Sequence, residues 1–185
     1  MPDTGLCPIF RLSWRVVIDA DTDNRIFVLI LDRPFIHTQA IFPIPIQPFD
    51  IVDYYGVECQ VPGWGQDTYS HKHKFQLRVG ELIINENLTT ESEIWTDSLG
   101  HNLCPGDEGG PLICSGVLVG IAHGAEFPFC WSGMGRAKFE NLMAFHKFLE
   151  RVTGGGYDSS KWATPEIWLE VIAVGIGYVV VHFIL

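Results

Sequence analysis

Short apolar runs separated by turn residues dominate the chain between residues 9 and 139. Residues 9–18 and 26–31 are rich in Val, Ile and Phe, and an acidic stretch ending in Asn24 separates them. Each run has the length and β-branched content of a strand, and the stretch between has turn chemistry. The segment 42–49 carries Pro43, Pro45 and Pro48. Proline lacks the N–H that a helix interior or a central strand needs, so this piece reads as an extended crossing linker. Further runs recur at 57–61, 75–79, 112–114, 117–123 and 133–139, punctuated by Gly, Asn and Pro. That pattern predicts an antiparallel barrel or sandwich.

The periodicity then changes. Leu142, Phe145, His146 and Leu149 recur at three- and four-residue spacing, predicting a helix over 140–152 that Gly154-Gly155-Gly156 stops. A linker, 154–166, leads to an apolar tail, 167–185, broken only by Glu170 and His182. Its apolar residues go all round a helix rather than forming one stripe, and its length is near the roughly 20 residues that span a bilayer. It reads either as a transmembrane helix or as a GPI-attachment signal. For the second, Asp158-Ser159-Ser160 would be the small-residue site and 161–170 the spacer.

Composition narrows the picture. The chain has 185 residues, of which 47% are hydrophobic, enough for one domain with a real core. A net charge of −10 argues against nucleic acid as a partner, since phosphate binding needs a basic face. None of the five cysteines forms a Cys-x-x-Cys pair, so a zinc knuckle or redox motif is not expected. No cofactor motif is present. Residues 1–17 lack the apolar run of a signal peptide. The expectation is a start short of the true N-terminus, or a truncated product.

The segment Cys104-Pro105-Gly106-Asp107-Glu108-Gly109-Gly110-Pro111-Leu112 resembles the nucleophile loop of the trypsin-like serine proteases, Gly-Asp-Ser-Gly-Gly-Pro. Residues 25–35 (RIFVLILDRPF) resemble the family's Asp-Ile-Ala-Leu-Leu-x-Leu-x-x-Pro strand, and Cys59-Gln60-Val61-Pro62-Gly63-Trp64-Gly65 its Cys-x-Val-x-Gly-Trp-Gly turn. The predicted helix sits where the family has its C-terminal helix. The resemblance runs from about residue 23 to 151 and implies an all-β, trypsin-like antiparallel β-barrel fold. The C-terminal barrel (57–153) would be complete, and residues 1–56 would be a remnant of the N-terminal barrel with the crossing linker. The apolar tail resembles those of membrane-anchored members such as prostasin and testisin. By analogy Cys59 pairs with Cys114 and Cys104 with Cys130, leaving Cys7 over.

The departures from the family pattern carry the functional expectation. Glu108 stands in the place of the nucleophilic serine, and a carboxylate has no hydroxyl to attack a peptide carbonyl. Arg25 stands where the triad aspartate belongs, and no Ala-Ala-His-Cys motif supplies the histidine. The resemblance therefore implies an inactive homologue at the cell surface, binding a protein or peptide partner such as a protease or its substrate. The alternatives are an active endopeptidase in a longer form, or a truncated product with exposed strand edges. The family's oxyanion hole uses the N–H groups at Gly106 and Glu108. Glu108 is expected to point to water, the other reading being that its carboxylate fills that hole. Asp107 has no activation-site ammonium to meet and is expected to be solvated or bonded to backbone N–H groups.

Asn102 falls at the pocket floor, His123 and Gly124 where substrate backbone would lie, and Gly133 at a pocket wall. An uncharged floor does not select basic side chains. Three weaker patterns remain. His71 and His73 lack a third metal ligand, so a solvated basic loop is expected there. The alternation of Asp19, Asp21 and Asp23 lacks the rest of a calcium loop. Asn87-Leu88-Thr89 is an N-glycosylation sequon, meaningful in the secretory pathway.

Overall fold

The computed structural model describes residues 13–18, 25–31, 44–47, 50–66, 77–125, 135–152 and 170–172. Strands β1 (Ser13–Ile18) and β2 (Phe27–Leu31) pair antiparallel, and β9 (Glu170–Ile172) adds to the other edge of β2. Six strands form a closed antiparallel barrel: β3 (Glu58–Gly63), β4 (Arg78–Ile84), β5 (Glu93–Ser98), β6 (Pro111–Cys114), β7 (Val117–Ala125) and β8 (Arg136–Asn141). Their order around the barrel is β3-β4-β5-β8-β7-β6. Closure removes the unpaired edges an open sheet would expose. The expected complete C-terminal barrel is thus present.

Inward residues of every strand fill it: Val61, Leu82, Ile84, Ile94, Leu112, Val119, Ala137 and Phe139 are all buried. The alternation of strand side chains places them on one face. Gly120 lets β7 and β8 approach, since a Cβ there would meet the Glu140 carbonyl at 3.1 Å and Phe139 Cβ at 3.2 Å. A second cluster lies outside the barrel. Ile26 and Val28 pack with Ile46, Leu118, Ile121, Leu142, Phe145, Phe148 and Leu149. It holds β2 and the C-terminal helix against the barrel's outer surface. The proline-rich segment joins it through Ile44 and Ile46: Leu118 N–H donates to the Pro45 carbonyl (2.8 Å) and Gln47 N–H to the Leu118 carbonyl (2.9 Å).

Three expectations shift. The run placed at 75–79 is strand β4, but over Arg78–Ile84, carried by the alternating burial of Leu82 and Ile84. Strand β5 was not anticipated, because Glu93–Ser98 holds only two apolar residues, Ile94 and Trp95, followed by three polar ones, and so offers neither an apolar run nor an alternation. The helix is shorter than 140–152. Glu140 and Asn141 belong to β8, residues Leu142–Phe145 form a 3-10 turn, and α1 covers His146–Val152. Asn141 Oδ1 accepts from the Met143 N–H at 3.1 Å, an N-cap that starts the helical stretch two residues late.

The Cys59–Cys114 disulfide forms because the two residues are directly opposite on β3 and β6. Cys104 is also disulfide-bonded; Cys130, its expected partner, and Cys7 lie outside the described residues. In the tail only Glu170–Ile172 is described, and it is a strand. Among the described residues no helix is long and apolar enough to cross a membrane.

Candidate functional site

The loop from Cys104 to Gly110 is built from two tight turns. The Asp107 N–H donates to the Cys104 carbonyl and the Gly110 N–H to the Asp107 carbonyl, both at 3.0 Å. Strand β7 ties the loop down: Gly109 N–H donates to the Ala122 carbonyl (2.8 Å) and Ala122 N–H to the Gly110 carbonyl (2.7 Å). Gly106 adopts a φ of 99°, a conformation costly for any residue with a Cβ.

Asp107 points into the barrel turn. Its Oδ1 accepts from the Gly65 N–H at 2.7 Å and its Oδ2 from the Cys104 N–H at 2.9 Å. Backbone donors therefore meet this carboxylate, as one of the two sequence readings had it. Gly63 and Gly65 provide the room. A Cβ at Gly65 would lie 2.5 Å from the carboxylate carbon and both its oxygens. The Gly63-Trp64-Gly65 motif is thus steric in origin.

Glu108 is partly buried, and one of its carboxylate oxygens folds back onto its own loop, which corrects the expectation that the side chain simply extends into water. Its Oε2 accepts a hydrogen bond from the Gly106 N–H at 2.7 Å. The positive-φ glycine aims that donor back over the loop, and a carboxylate two residues on reaches it. An N–H held in place by a rigid loop favours negative charge. Of the two expected oxyanion donors only Gly106 is engaged; the Glu108 N–H has no hydrogen bond among the described residues.

Arg25 enters an ion-pair network that the sequence reading missed. Its Nη1 lies 2.9 Å from Glu140 Oε2 and 3.8 Å from Glu93 Oε1. The Glu140 contact is an ion pair without hydrogen-bond geometry. The guanidinium also lies over the Phe145 ring, 5.7 Å from its centroid. Glu140 is 2% exposed, and its Oε1 contacts His123 Nδ1 at 2.9 Å. Lys138 Nζ reaches Glu93 Oε1 at 2.6 Å. That hydrogen bond is the chief reason the Glu93 carboxyl is held below its ordinary value of 4.5; burial opposes it, and the charges of Lys138 and Arg25 and a Trp95 hydrogen bond add to it. The overlooked signal was Asn141: read as an N-cap, it would have put Glu140 on a strand beside β7.

The remaining predicted residues separate. His123 sits at a β-bulge between Ala122 and Gly124, which turns its ring toward Glu140. Gly124 leaves open space where a Cβ would go. Asn102 Oδ1 accepts from the Leu103 N–H at 2.9 Å, so this side chain braces its own loop. Gly133, His71, His73 and the Asp19–Asp23 alternation lie outside the described residues. Among the described residues no cluster of three or more His, Cys, Asp or Glu side chains is arranged to hold a metal ion.

A closed six-stranded barrel with a turn-rich loop pinned to β7 and a short C-terminal helix defines a class of protein, and sequence comparison names it. The family model for Trypsin matches residues 11–135, and the chain belongs to the trypsin-like serine protease family. It is 30% identical over 71% of its length to kallikrein 1-related peptidase b8 of Mus musculus, covering 54% of that protein. It is likewise 30% identical to tonin of Rattus norvegicus, over 71% of this chain and 54% of tonin. The chain thus spans about half the length of these relatives. A mutant of human heparin binding protein (CAP37) superposes with a TM-score of 0.65 and 25% identity, over 78% of this chain and 66% of that one. Mouse neuropsin gives the same TM-score at 18% identity, over 77% of this chain and 71% of that one, which speaks to fold alone.

Proposed function

We propose that this chain is a catalytically inactive trypsin-like homologue that acts by binding, as a decoy or scaffold for a protease or its peptide substrate at an extracellular membrane surface. The observation that carries the reading is Glu108. It occupies the nucleophile position by motif, and its carboxylate takes the Gly106 N–H at 2.7 Å. Acyl transfer at that position requires a hydroxyl oxygen and a free donor for the oxyanion; here the side chain supplies neither and consumes the second. Arg25, in the aspartate's place, is engaged with Glu140, and it can orient no imidazole as a carboxylate would.

The disulfides support an oxidising compartment, and the apolar sequence of the tail, 167–185, supports attachment to a membrane by a spanning helix or a GPI anchor, in a form in which Glu170–Ile172 no longer pairs with β2. The relatives are named as peptidases, which favours a second reading, serine endopeptidase activity in a longer form. A fluorophosphonate probe decides between them. No covalent label is expected on the purified chain, with peptide hydrolysis at background; a labelled serine with matching turnover sinks the binding-only reading.

A further inference from the structure

We infer that Asn87 is the acceptor of an N-linked oligosaccharide, carried on the end of the barrel remote from the Glu108 loop. Asn87-Leu88-Thr89 is the one Asn-x-Ser/Thr sequence in the chain. The structure places it at the tip of the β4–β5 connection, with Asn87 and Leu88 exposed. The two asparagines of this turn are divided in their work. Asn85 is structural: its Nδ2 donates to Asp97 Oδ2 (2.6 Å), and its Oδ1 accepts from the N–H groups of Asn87 and Leu88, both at 3.1 Å. Asn87 has only its backbone N–H engaged, and its side-chain amide makes no hydrogen bond among the described residues. The turn is thus held rigid by one asparagine while it presents the other to solvent. Thr89 also anchors the turn, its Oγ1 bonding the Trp95 N–H at 3.1 Å and the Trp95 carbonyl at 3.3 Å.

The chemistry is transfer from a lipid-linked oligosaccharyl pyrophosphate. A bond forms between Asn87 Nδ2 and the anomeric carbon of the first sugar. The anomeric carbon–oxygen bond breaks, the lipid pyrophosphate leaves with the electron pair, and the proton lost by the amide goes to solvent. The Cys59–Cys114 disulfide forms in the same oxidising compartment that houses this donor.

Register fixes where the sugar projects. Arg78, at the start of β4, is opposite Gly63, beside the Asp107 carboxylate that Gly65 holds. Ile84 is at the other end of β4 and leads into the Asn85 turn. At about 3.3 Å per residue the strand separates the two by roughly 20 Å. The oligosaccharide would therefore cover Leu88, 37% exposed, and leave the Glu108 loop open. The inference does not rest on whether Glu108 abolishes catalysis.

The test is expression of the chain behind a cleavable secretory leader in cultured animal cells. Protein N-glycosidase digestion in heavy-oxygen water, followed by peptide mass mapping, is applied to both medium and membrane fractions. The expected result is a mobility drop with isotope incorporation at position 87 alone. Asn87→Gln should lose it, and Thr89→Ser, which keeps the hydroxyl, should retain it. An unmodified Asn87 in chain carrying the Cys59–Cys114 disulfide, or a mobility drop that survives Asn87→Gln, overturns the inference.

Discussion

At the scale of single residues, Glu108 and Arg25 are coupled to their surroundings in ways that bar simple reversal. Changing Glu108→Ser supplies a hydroxyl, but the base that would activate it is not provided by His123, whose ring is turned to Glu140. The expected outcome is no fluorophosphonate labelling and no measurable kcat/KM for E108S. Restoring the family aspartate by Arg25→Asp sets a carboxylate against Glu140, which is 2% exposed. The Arg25 side chain is 28% exposed, so loss of this half-buried pair costs at most about 3 kcal/mol, with the added repulsion on top. A denaturant titration should show R25D to be less stable than R25M, whose side chain is neutral. Gly65→Ala forces a methyl to within 2.5 Å of the Asp107 carboxylate. Overpacking of this kind costs about 1–3 kcal/mol, to be read as a lowered midpoint in the same titration.

At the scale of elements, the pairing of β3 with β6 is reinforced by Cys59–Cys114, which closes a separation of 55 residues. Chain entropy puts such a link at about 4 kcal/mol, so the C59A/C114A double variant should melt well below the parent in calorimetry. Strands β5 and β8 are linked by a diagonal pair, Glu93 at the start of β5 with Lys138 within β8. Because the folded-state Glu93 carboxyl is held below its ordinary value, chiefly by Lys138, its contribution is complete above the ordinary carboxylate range. It is lost as pH falls through the lowered folded value. Lys138→Met should therefore flatten the decline in stability between about pH 5 and 3, measured by denaturant midpoints against pH. The helical stretch that leads into α1 owes its start at Leu142 to Asn141. That cap turns the backbone after β8 and lets Phe145, Phe148 and Leu149 reach Ile26 and Val28.

At the scale of the whole molecule, one closed barrel carries a small sheet, β1-β2-β9, on its outer face. The sheet draws one strand from the tail, so β2 is paired on both sides. A net charge of −10 gives the chain a negative long-range field. Polyanions are repelled by such a surface. The chain is expected to pass unretained through heparin–agarose at physiological salt, and salt-dependent retention would show a concentrated basic face.

Local motifs were readable because their causes are local. The barrel's apolar runs, the nucleophile-loop motif, the Gly63-Trp64-Gly65 turn and the Cys59–Cys114 pairing by resemblance all rest on residues near one another in sequence or on a family pattern. Strand β5 was hidden because its partners, β4 and β8, rather than its own composition, bury Ile94 and Thr96. The fate of two carboxylates was equally hidden. Whether Glu108 meets water or the Gly106 N–H depends on a loop conformation that β7 imposes. Whether Glu140 is a surface helix residue or the buried partner of Arg25 and His123 depends on β7, β8 and the segment leading into β2 meeting in space. The chain by itself determined which chemical groups are available at these positions. Only tertiary structure decided what each faces, because the energy of a charge is set by neighbours that lie far away in sequence.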